Sequence, residues 1–137
     1  MGNCMRRSRG GSSFGSKGSF SGGNVHVISS RGNWDDEISE AKREGKIVVA
    51  NFSAAWCGPC RMIMPLYADL SLKYPQLVFL AVDVDELPDL SSSWDVHATP
   101  TFFFLKDGRQ IDKLVGSNKP ELEKKVLAFA ESIQCSK

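Results

Sequence analysis

Apolar and polar residues alternate in blocks along most of this chain of 137 residues, and the blocks predict a succession of strands and helices. Runs rich in β-branched and aromatic residues predict five strands, at about 25–29, 46–53, 77–82, 101–106 and 111–115. The second run, Lys46 to Ser53, is almost continuously apolar, which is typical of a central strand that is covered on both faces.

Apolar residues at helical spacing predict four helices between and after these strands. The first is expected to begin with Asn33 as its N-cap and to end at Gly45. The second follows Cys60 and contains Pro65, the third is short and runs from about Leu87 to Trp94, and the last runs from Lys119 to Ile133.

The order of these elements predicts an α/β fold. A strand, a helix and another strand in succession imply a parallel pair of strands. Asp107-Gly108 between the last two strands is a strong signal for a hairpin turn and therefore for antiparallel pairing. We expect a central mixed β-sheet flanked by helices on both faces.

The chain is long enough for one domain, preceded by a segment of different composition. Residues 1–23 are rich in Gly and Ser and contain Arg6, Arg7, Arg9 and Lys17, with few apolar residues. Such a composition does not bury enough apolar surface to fold. We expect a flexible N-terminal extension over 1–23 and a folded domain over 24–137.

The tip of the extension carries two candidate lipidation sites. Once Met1 is removed, Gly2 can accept myristate and Cys4 can accept palmitate, and the nearby arginines would attract anionic lipid. Arg6 departs from the myristoylation pattern, which has Ser or Thr at that position. Two alternatives stay open: an unmodified, solvated tail, and a Cys4 thiol that shuttles electrons or takes glutathione.

Charge and hydropathy exclude several classes of function. The formal net charge is +1, so no global field favours nucleic acid as a partner. No apolar run approaches the roughly 20 residues that span a bilayer, and the N-terminus lacks the apolar core of a signal peptide. We therefore expect a cytoplasmic protein, held at the periphery of a membrane if the N-terminus is acylated.

The chemistry is concentrated in Trp56-Cys57-Gly58-Pro59-Cys60, directly behind the central strand and ahead of a helix. Two thiols at this spacing can form and open a disulfide with little backbone movement. Free N–H groups at a helix start favour a thiolate, which predicts Cys57 as the nucleophile and Cys60 as the resolving thiol. A zinc site would need four ligands, and the sequence has no second C-x-x-C and no histidine pair, only the isolated His26 and His97. We expect neither a metal nor an organic cofactor.

Three separated segments resemble the thioredoxin family. The Cys57 motif matches the family's active-site sequence, Ala98-Thr99-Pro100-Thr101-Phe102 resembles the segment that faces it, and Gly116 follows the last strand at the family's spacing. The resemblance covers about Val25 to Ile133. The segment 82–87, Trp94 and the start Met-Gly-x-Cys further resemble plant h-type thioredoxins.

This resemblance implies the thioredoxin fold and a protein-disulfide reductase that acts in electron transport and cell redox homeostasis. Pro100 would follow a cis peptide bond. The substrate would lie in a groove formed by Trp56, Gly58 and Pro59, by Ala98, Thr99 and Pro100, and by Val115, Gly116 and Ser117. Its partners would be proteins with disulfides, and its electron donor either thioredoxin reductase or glutathione with glutaredoxin.

Two positions depart from the family's pattern. Many thioredoxins place a buried carboxylate six residues before the first cysteine and a lysine nearby, whereas this chain has Asn51 and Ala81 there. An amide can orient water or take part in a proton relay by hydrogen bonding, but it does not take up a proton. We expect Cys60 to rely on water for deprotonation. The alternative is that Asn51 only makes hydrogen bonds within the core.

A second class of function is a non-catalytic, redox-regulated binding module or chaperone that uses the same groove. The presence of both Cys57 and Cys60 disfavours it, because a pure binder needs neither thiol. A secretory oxidase or isomerase is disfavoured by the missing signal peptide and by the Gly58-Pro59 dipeptide.

Overall fold

The computed structural model describes residues 22–135, with side chains as far as Ser132. Its elements, in chain order, are β1 (Val25–Val27), α1 (Arg31–Glu44), β2 (Val48–Ser53), α2 (Gly58–Lys73), β3 (Val78–Asp83), α3 (Pro88–Ser93), β4 (Thr101–Lys106), β5 (Arg109–Val115) and α4 (Lys119–Cys135). Each strand and helix that the sequence predicts is present, with ends that move by a few residues.

The five strands form one mixed sheet in the order β1-β3-β2-β4-β5. β3 pairs in parallel with both β1 and β2, while β4 is antiparallel to β2 and β5 is antiparallel to β4. The predicted mixed sheet is confirmed, and β2 lies at its centre.

Helices cover both faces of the sheet, as predicted. Successive side chains of a strand point to opposite faces, so the two cores divide each strand between them. Phe102 and Phe104 pack with α2 and α4 on one face, whereas Phe103 and Leu105 pack with α1 and α3 on the other. β2 is buried along its whole length because it receives helices on both sides.

The expected N-cap of α1 was wrong. Ser30, not Asn33, caps the helix, because its backbone is extended and its Oγ accepts a hydrogen bond from the Asn33 N–H at 3.0 Å. Asn33 instead lies in the first turn, where its Oδ1 accepts from the Ser29 N–H at 3.0 Å. Gly45 ends the helix in the left-handed conformation, as predicted.

Two contacts fix α2, the helix that follows the cysteine motif, against its surroundings. The buried Tyr67 hydroxyl lies 2.8 Å from the Val49 carbonyl and 2.7 Å from the Leu80 carbonyl, so it connects α2 with β2 and β3. At the chain's entry into the domain, the Asn24 N–H donates to Ser71 Oγ at 2.8 Å. The start of the described chain is therefore attached to the same helix.

Within residues 22–135, no helix is long and apolar enough to cross a membrane.

Candidate active site

Cys57 and Cys60 form a disulfide at the start of α2, with their Cα atoms 5.3 Å apart. Cys57 is the N-cap residue, and its Sγ accepts a hydrogen bond from the Cys60 N–H at 3.2 Å. Only 4% of Cys57 and 1% of Cys60 is exposed, so Cys60 is the more deeply buried of the two residues. The positive end of the helix and a backbone donor thus converge on the first sulfur, which favours a negative charge there.

The segment around Pro100 faces this disulfide. The Thr99–Pro100 peptide bond is cis, as the family resemblance implies, and the Thr99 carbonyl oxygen lies 3.7 Å from Cys57 Sγ. The Gly116 N–H donates to the Pro100 carbonyl at 2.8 Å, and Thr101 pairs with Val115 across β4 and β5. The three segments that the sequence singles out are therefore adjacent around the first sulfur.

The rim of the site is apolar and open. Trp56 is 70% exposed and Val115 is 53% exposed, which is unusual for such large apolar side chains. Gly58, Pro59, Ala98 and Ser117 are also exposed, Thr99 and Gly116 are half-buried, and Pro100 is buried. The arrangement offers apolar side chains and exposed backbone on both sides of the Cys57 sulfur, which suits an extended peptide.

Asp85 holds the indole of Trp56. The Trp56 Nε1–H donates to Asp85 Oδ2 at 2.7 Å, and Asp83 Oδ1 accepts from the Asp85 N–H at 2.9 Å. These carboxylates are not among the site residues predicted from the sequence. The only signal was their position at the carboxyl end of β3, because the carboxyl ends of adjacent parallel strands meet at one edge of a sheet.

Arg61 contacts the loop between β2 and α2. Its Nη1 donates to the carbonyl oxygen of Ala55 at 2.9 Å, while its backbone N–H donates to the Cys57 carbonyl at 3.2 Å. Both Arg61 and Ala55 are exposed. The sequence carried no signal for this contact, since the reach of an arginine depends on its rotamer.

Asn51 is fully buried in β2, and both ends of its amide have protein partners. Its Oδ1 accepts from the Ser53 hydroxyl at 2.7 Å, and its Nδ2 donates to Met64 Sδ at 3.1 Å. Ala81 lies opposite Asn51 in the register of β2 and β3. No Asp, Glu, Lys, Arg or His is buried in residues 22–132, so the thiols have no buried charged neighbour in that part of the chain.

Both histidines lie away from the thiols' immediate contacts. His26 Nδ1 lies 3.2 Å from Glu37 Oε1, and His97 Nε2 lies 2.7 Å from Asp95 Oδ1. A groove of about 460 Å³ next to His26 is lined by residues from the amino ends of the parallel strands. It lies at the end of the sheet opposite the cysteines and contains none of the predicted site residues.

The candidate lipidation sites Gly2 and Cys4 lie outside the described residues, as does nearly all of the predicted extension.

Comparisons with known proteins agree with the geometry. The family model "Thioredoxin" matches residues 25–128. "Thioredoxin H4-1" of Oryza sativa subsp. japonica is 65% identical over 132 residues, 96% of this chain and 99% of that protein. "Thioredoxin H9" of Arabidopsis thaliana is 58% identical over 133 residues, 97% of this chain and 95% of that protein. The crystal structure of a wild-type poplar thioredoxin h, 64% identical, superposes with a TM-score of 0.76 over 77% of this chain and 96% of that one.

Proposed function

Because the chain belongs to the thioredoxin family and to its plant h-type group, we propose that Cys57 and Cys60 are the attacking and resolving thiols of its dithiol–disulfide exchange. The chain is a thiol–disulfide oxidoreductase with a redox-active cysteine pair. One observation supports the assignment of the two roles above others: Cys57 Sγ is the helix-capping atom that accepts from the Cys60 N–H. This donor and the helix dipole stabilise the Cys57 thiolate.

The reaction proceeds in two exchanges. The Cys57 thiolate attacks one sulfur of the target disulfide, so a mixed disulfide forms and the first target sulfur leaves as a thiolate, which takes a proton. The Cys60 thiol then loses its proton and attacks Cys57 Sγ. The second target sulfur leaves, the target has gained two electrons, and Cys57–Cys60 is the disulfide that the structure contains.

The target binds along the exposed rim around Cys57. Trp56, Gly58 and Pro59 form one side of this groove. Thr99 supplies backbone 3.7 Å from the attacking sulfur, between Ala98 and Pro100, and the other side is formed by Val115, Gly116 and Ser117. Recognition through backbone and apolar surface tolerates many peptide sequences, which suits a general protein reductant.

Asn51 serves the resolving step through water. A neutral amide does not accept the Cys60 proton. Within residues 22–132, no buried carboxylate or amine is present that could accept this proton instead. The alternative is a purely structural amide, and the two hydrogen bonds to Ser53 and Met64 support that alternative. The rate at which Asn51→Asp resolves the mixed disulfide, compared with wild type, distinguishes the two roles.

Reduction of insulin disulfides by the purified full chain tests the assignment. Cys57→Ser is expected to lose activity to the uncatalysed level, whereas Cys60→Ser is expected to attack once and to stop as a mixed disulfide. Cys135→Ser is the matched control and should keep full activity. Trapping by Cys57→Ser instead of Cys60→Ser would reverse the roles, and an inactive wild-type protein would favour the non-catalytic binding module.

The same assay identifies the electron donor. We propose recycling either by NADPH with thioredoxin reductase or by glutathione with glutaredoxin, and each system is supplied in a parallel arm. Turnover with the reductase would make Cys4 a lipid site or a spectator. Turnover with glutaredoxin alone would make Cys4 the next residue to replace, as an electron-carrying thiol.

We also propose that the predicted N-terminal extension, residues 1–23, precedes the domain at 24–137 and holds a cytoplasmic protein at the membrane periphery. Gly2 would carry myristate and Cys4 palmitate, because one acyl chain alone binds a membrane only marginally. Metabolic labelling with clickable fatty acids in plant cells tests this. Gly2→Ala should lose both labels and Cys4→Ser only the palmitate; a wild-type chain without either label would contradict the proposal.

A further inference from the structure

We propose that Arg61 is a positioning residue that holds the loop carrying Cys57 against α2 while the disulfide is open. This inference rests on the proposed function, because it concerns the step in which Cys60 attacks the mixed disulfide. The loop is Ala54 to Cys57, between the end of β2 and the start of α2. Its position relative to α2 decides whether Cys60 can reach the sulfur of Cys57.

In the oxidised protein, a covalent bond joins this loop to the first turn of α2. Attack on a target removes that bond, because the Cys57 sulfur then belongs to the mixed disulfide. Two hydrogen bonds between the loop and α2 are independent of the sulfur, and Arg61 donates both: its N–H to the Cys57 carbonyl at 3.2 Å and its Nη1 to the Ala55 carbonyl at 2.9 Å. The side-chain hydrogen bond holds the loop at Ala55, two residues before Cys57.

Besides the apolar packing of Ala54 with Cys60, the loop has one further side-chain hydrogen bond, on its other side. Trp56 Nε1–H donates to Asp85 at 2.7 Å, and Asp85 belongs to the segment after β3. That bond fixes the indole relative to the sheet and not relative to α2. Among the described residues, Arg61 is therefore the side chain of α2 that donates a hydrogen bond to the loop.

The expected consequence is kinetic. A bound substrate pulls on Cys57, and a loop that is free to move away from α2 lowers the effective concentration of the Cys60 thiol at the mixed disulfide. Neither free redox form carries a bound target that pulls on the loop, so the equilibrium between the two forms should not depend on Arg61. A guanidinium that acted by its charge would behave differently, since it would change the reactivity of the Cys57 thiolate and would be screened by salt.

A single-turnover experiment on the full chain separates these effects. The reduced protein is mixed with excess of a fluorogenic peptide dimer joined by one disulfide. Attack by Cys57 releases one peptide thiol at a rate proportional to peptide concentration, and resolution by Cys60 releases the second at a rate that is independent of it. Arg61→Met removes the Nη1 hydrogen bond to the Ala55 carbonyl and keeps the backbone bond to the Cys57 carbonyl. Arg109→Met, at the start of β5 and about 20 Å along that strand from Val115, removes an equal charge far from the loop.

We expect Arg61→Met to slow the second release by about threefold to tenfold, at both low salt and 1 M salt. The attack rate and the equilibrium with a dithiothreitol buffer should stay within twofold of wild type, and Arg109→Met should match wild type throughout. An unchanged second release, or a slowing that disappears at 1 M salt, would overturn the proposal. A wild-type protein that never releases the first thiol would instead refute the proposed function.

Discussion

At the scale of single residues, a neutral side chain stands where many thioredoxins have a carboxylate. Asn51 is fully buried, and its amide is shared between a hydroxyl and a thioether, Ser53 and Met64. A buried carboxylate would change its protonation with pH and with the redox state of the thiols, whereas an amide does not. The buried strand β2 therefore carries no charged side chain.

Asn51→Asp should destabilise the protein and alter its resolving step. The new carboxyl keeps the acceptor for Ser53 but loses the donor to Met64, at an expected cost of about 1–3 kcal/mol at pH 7. Burial should raise the pKa of this carboxyl, so the loss of stability should grow as pH rises from the unfolded pKa of about 4 to the folded value. Urea unfolding at several pH values measures it.

The same variant tests the role of water. If wild-type Cys60 relies on water, the new carboxylate should accelerate resolution of the mixed disulfide and introduce a pH dependence near neutrality. A resolution rate that equals that of wild type across neutral pH would undercut the role of water. Asn51→Gln, which keeps the amide but lengthens the side chain, is the control for disturbed packing.

Tyr67 is a second residue whose environment predicts a measurable effect. Burial raises the pKa of its hydroxyl well above the ordinary value. Below the unfolded pKa of about 10, both states are neutral, and the one O–H proton, shared between the β2 and β3 carbonyls, contributes its hydrogen bond fully. As pH rises from about 10 towards the folded pKa, the unfolded chain ionises first, and this contribution is lost.

Tyr67→Phe should therefore cost about 1 kcal/mol at neutral pH, because it leaves the Val49 and Leu80 carbonyls without the hydroxyl. The difference from wild type should shrink above pH 10. Urea unfolding at pH 7, 9 and 10.5 measures both effects. Tyr74→Phe is the control and should stay close to wild type at pH 7; a difference from wild type for Tyr67→Phe that is constant up to pH 10.5 would contradict the assignment.

At the scale of elements, α2 is the helix on which several contacts converge. Its first turn carries the thiols, Tyr67 connects its middle to the sheet, and Ser71 near its end binds the Asn24 N–H. Gly23 permits that last contact. Its backbone is left-handed (φ +54°), and a Cβ on it would collide with the Ala68 carbonyl and Ser71 Oγ.

Gly23→Ala should weaken the attachment of β1 to α2. The loss of stability should exceed the loss that backbone strain alone would cause. Gly45 provides the comparison, because it is equally left-handed (φ +69°) but has open space where a Cβ would lie. We expect about 1 kcal/mol for Gly45→Ala and a further 1–3 kcal/mol for Gly23→Ala from the collision. Urea unfolding measures both, and faster hydrogen exchange at Val25 to Val27 should accompany only the second. Equal losses of stability in the two variants would show that a Cβ at residue 23 does not collide with α2.

At the scale of the whole molecule, charge is divided unequally along the chain. Residues 1–21 contain four of the 17 lysines and arginines and none of the 16 carboxylates. The rest of the chain therefore has 13 cationic side chains against 16 carboxylates, a net charge of −3. The near-neutral net charge is therefore the sum of a basic extension and an acidic domain. An anionic membrane would attract only the basic extension.

Without any acyl group, the full chain should therefore bind vesicles containing phosphatidylserine through its extension. Each of Arg6, Arg7 and Arg9 should contribute about 1 kcal/mol near the surface, and binding should fall steeply with salt. Replacing the three by Gln should abolish sedimentation with the vesicles. The control replaces Lys42, Arg43 and Arg109 of the domain by Gln, and an equal loss of binding there would contradict a role for the extension.

Much of this protein follows from its sequence alone. The five strands, the four helices and the mixed sheet follow from hydrophobic period, turn residues and the handedness of crossovers, which are local or general rules. The cysteine pair and the segment facing it were recognisable because their residue types and spacing are specific. The start of α1 was the exception, since Ser30 and Asn33 are both good capping residues and only the backbone conformation at Ser30 selects it.

Only the tertiary structure decided which side chains meet around the thiols. Asp85 lies 29 residues from Trp56 and Met64 lies 13 residues from Asn51, and each pair meets because the sheet register and the packing of α2 bring them together. Arg61 reaches Ala55 by one rotamer among many. Periodicity assigns a residue to a face, whereas a hydrogen bond requires distances within a few tenths of an ångström, and the folded chain alone sets these distances.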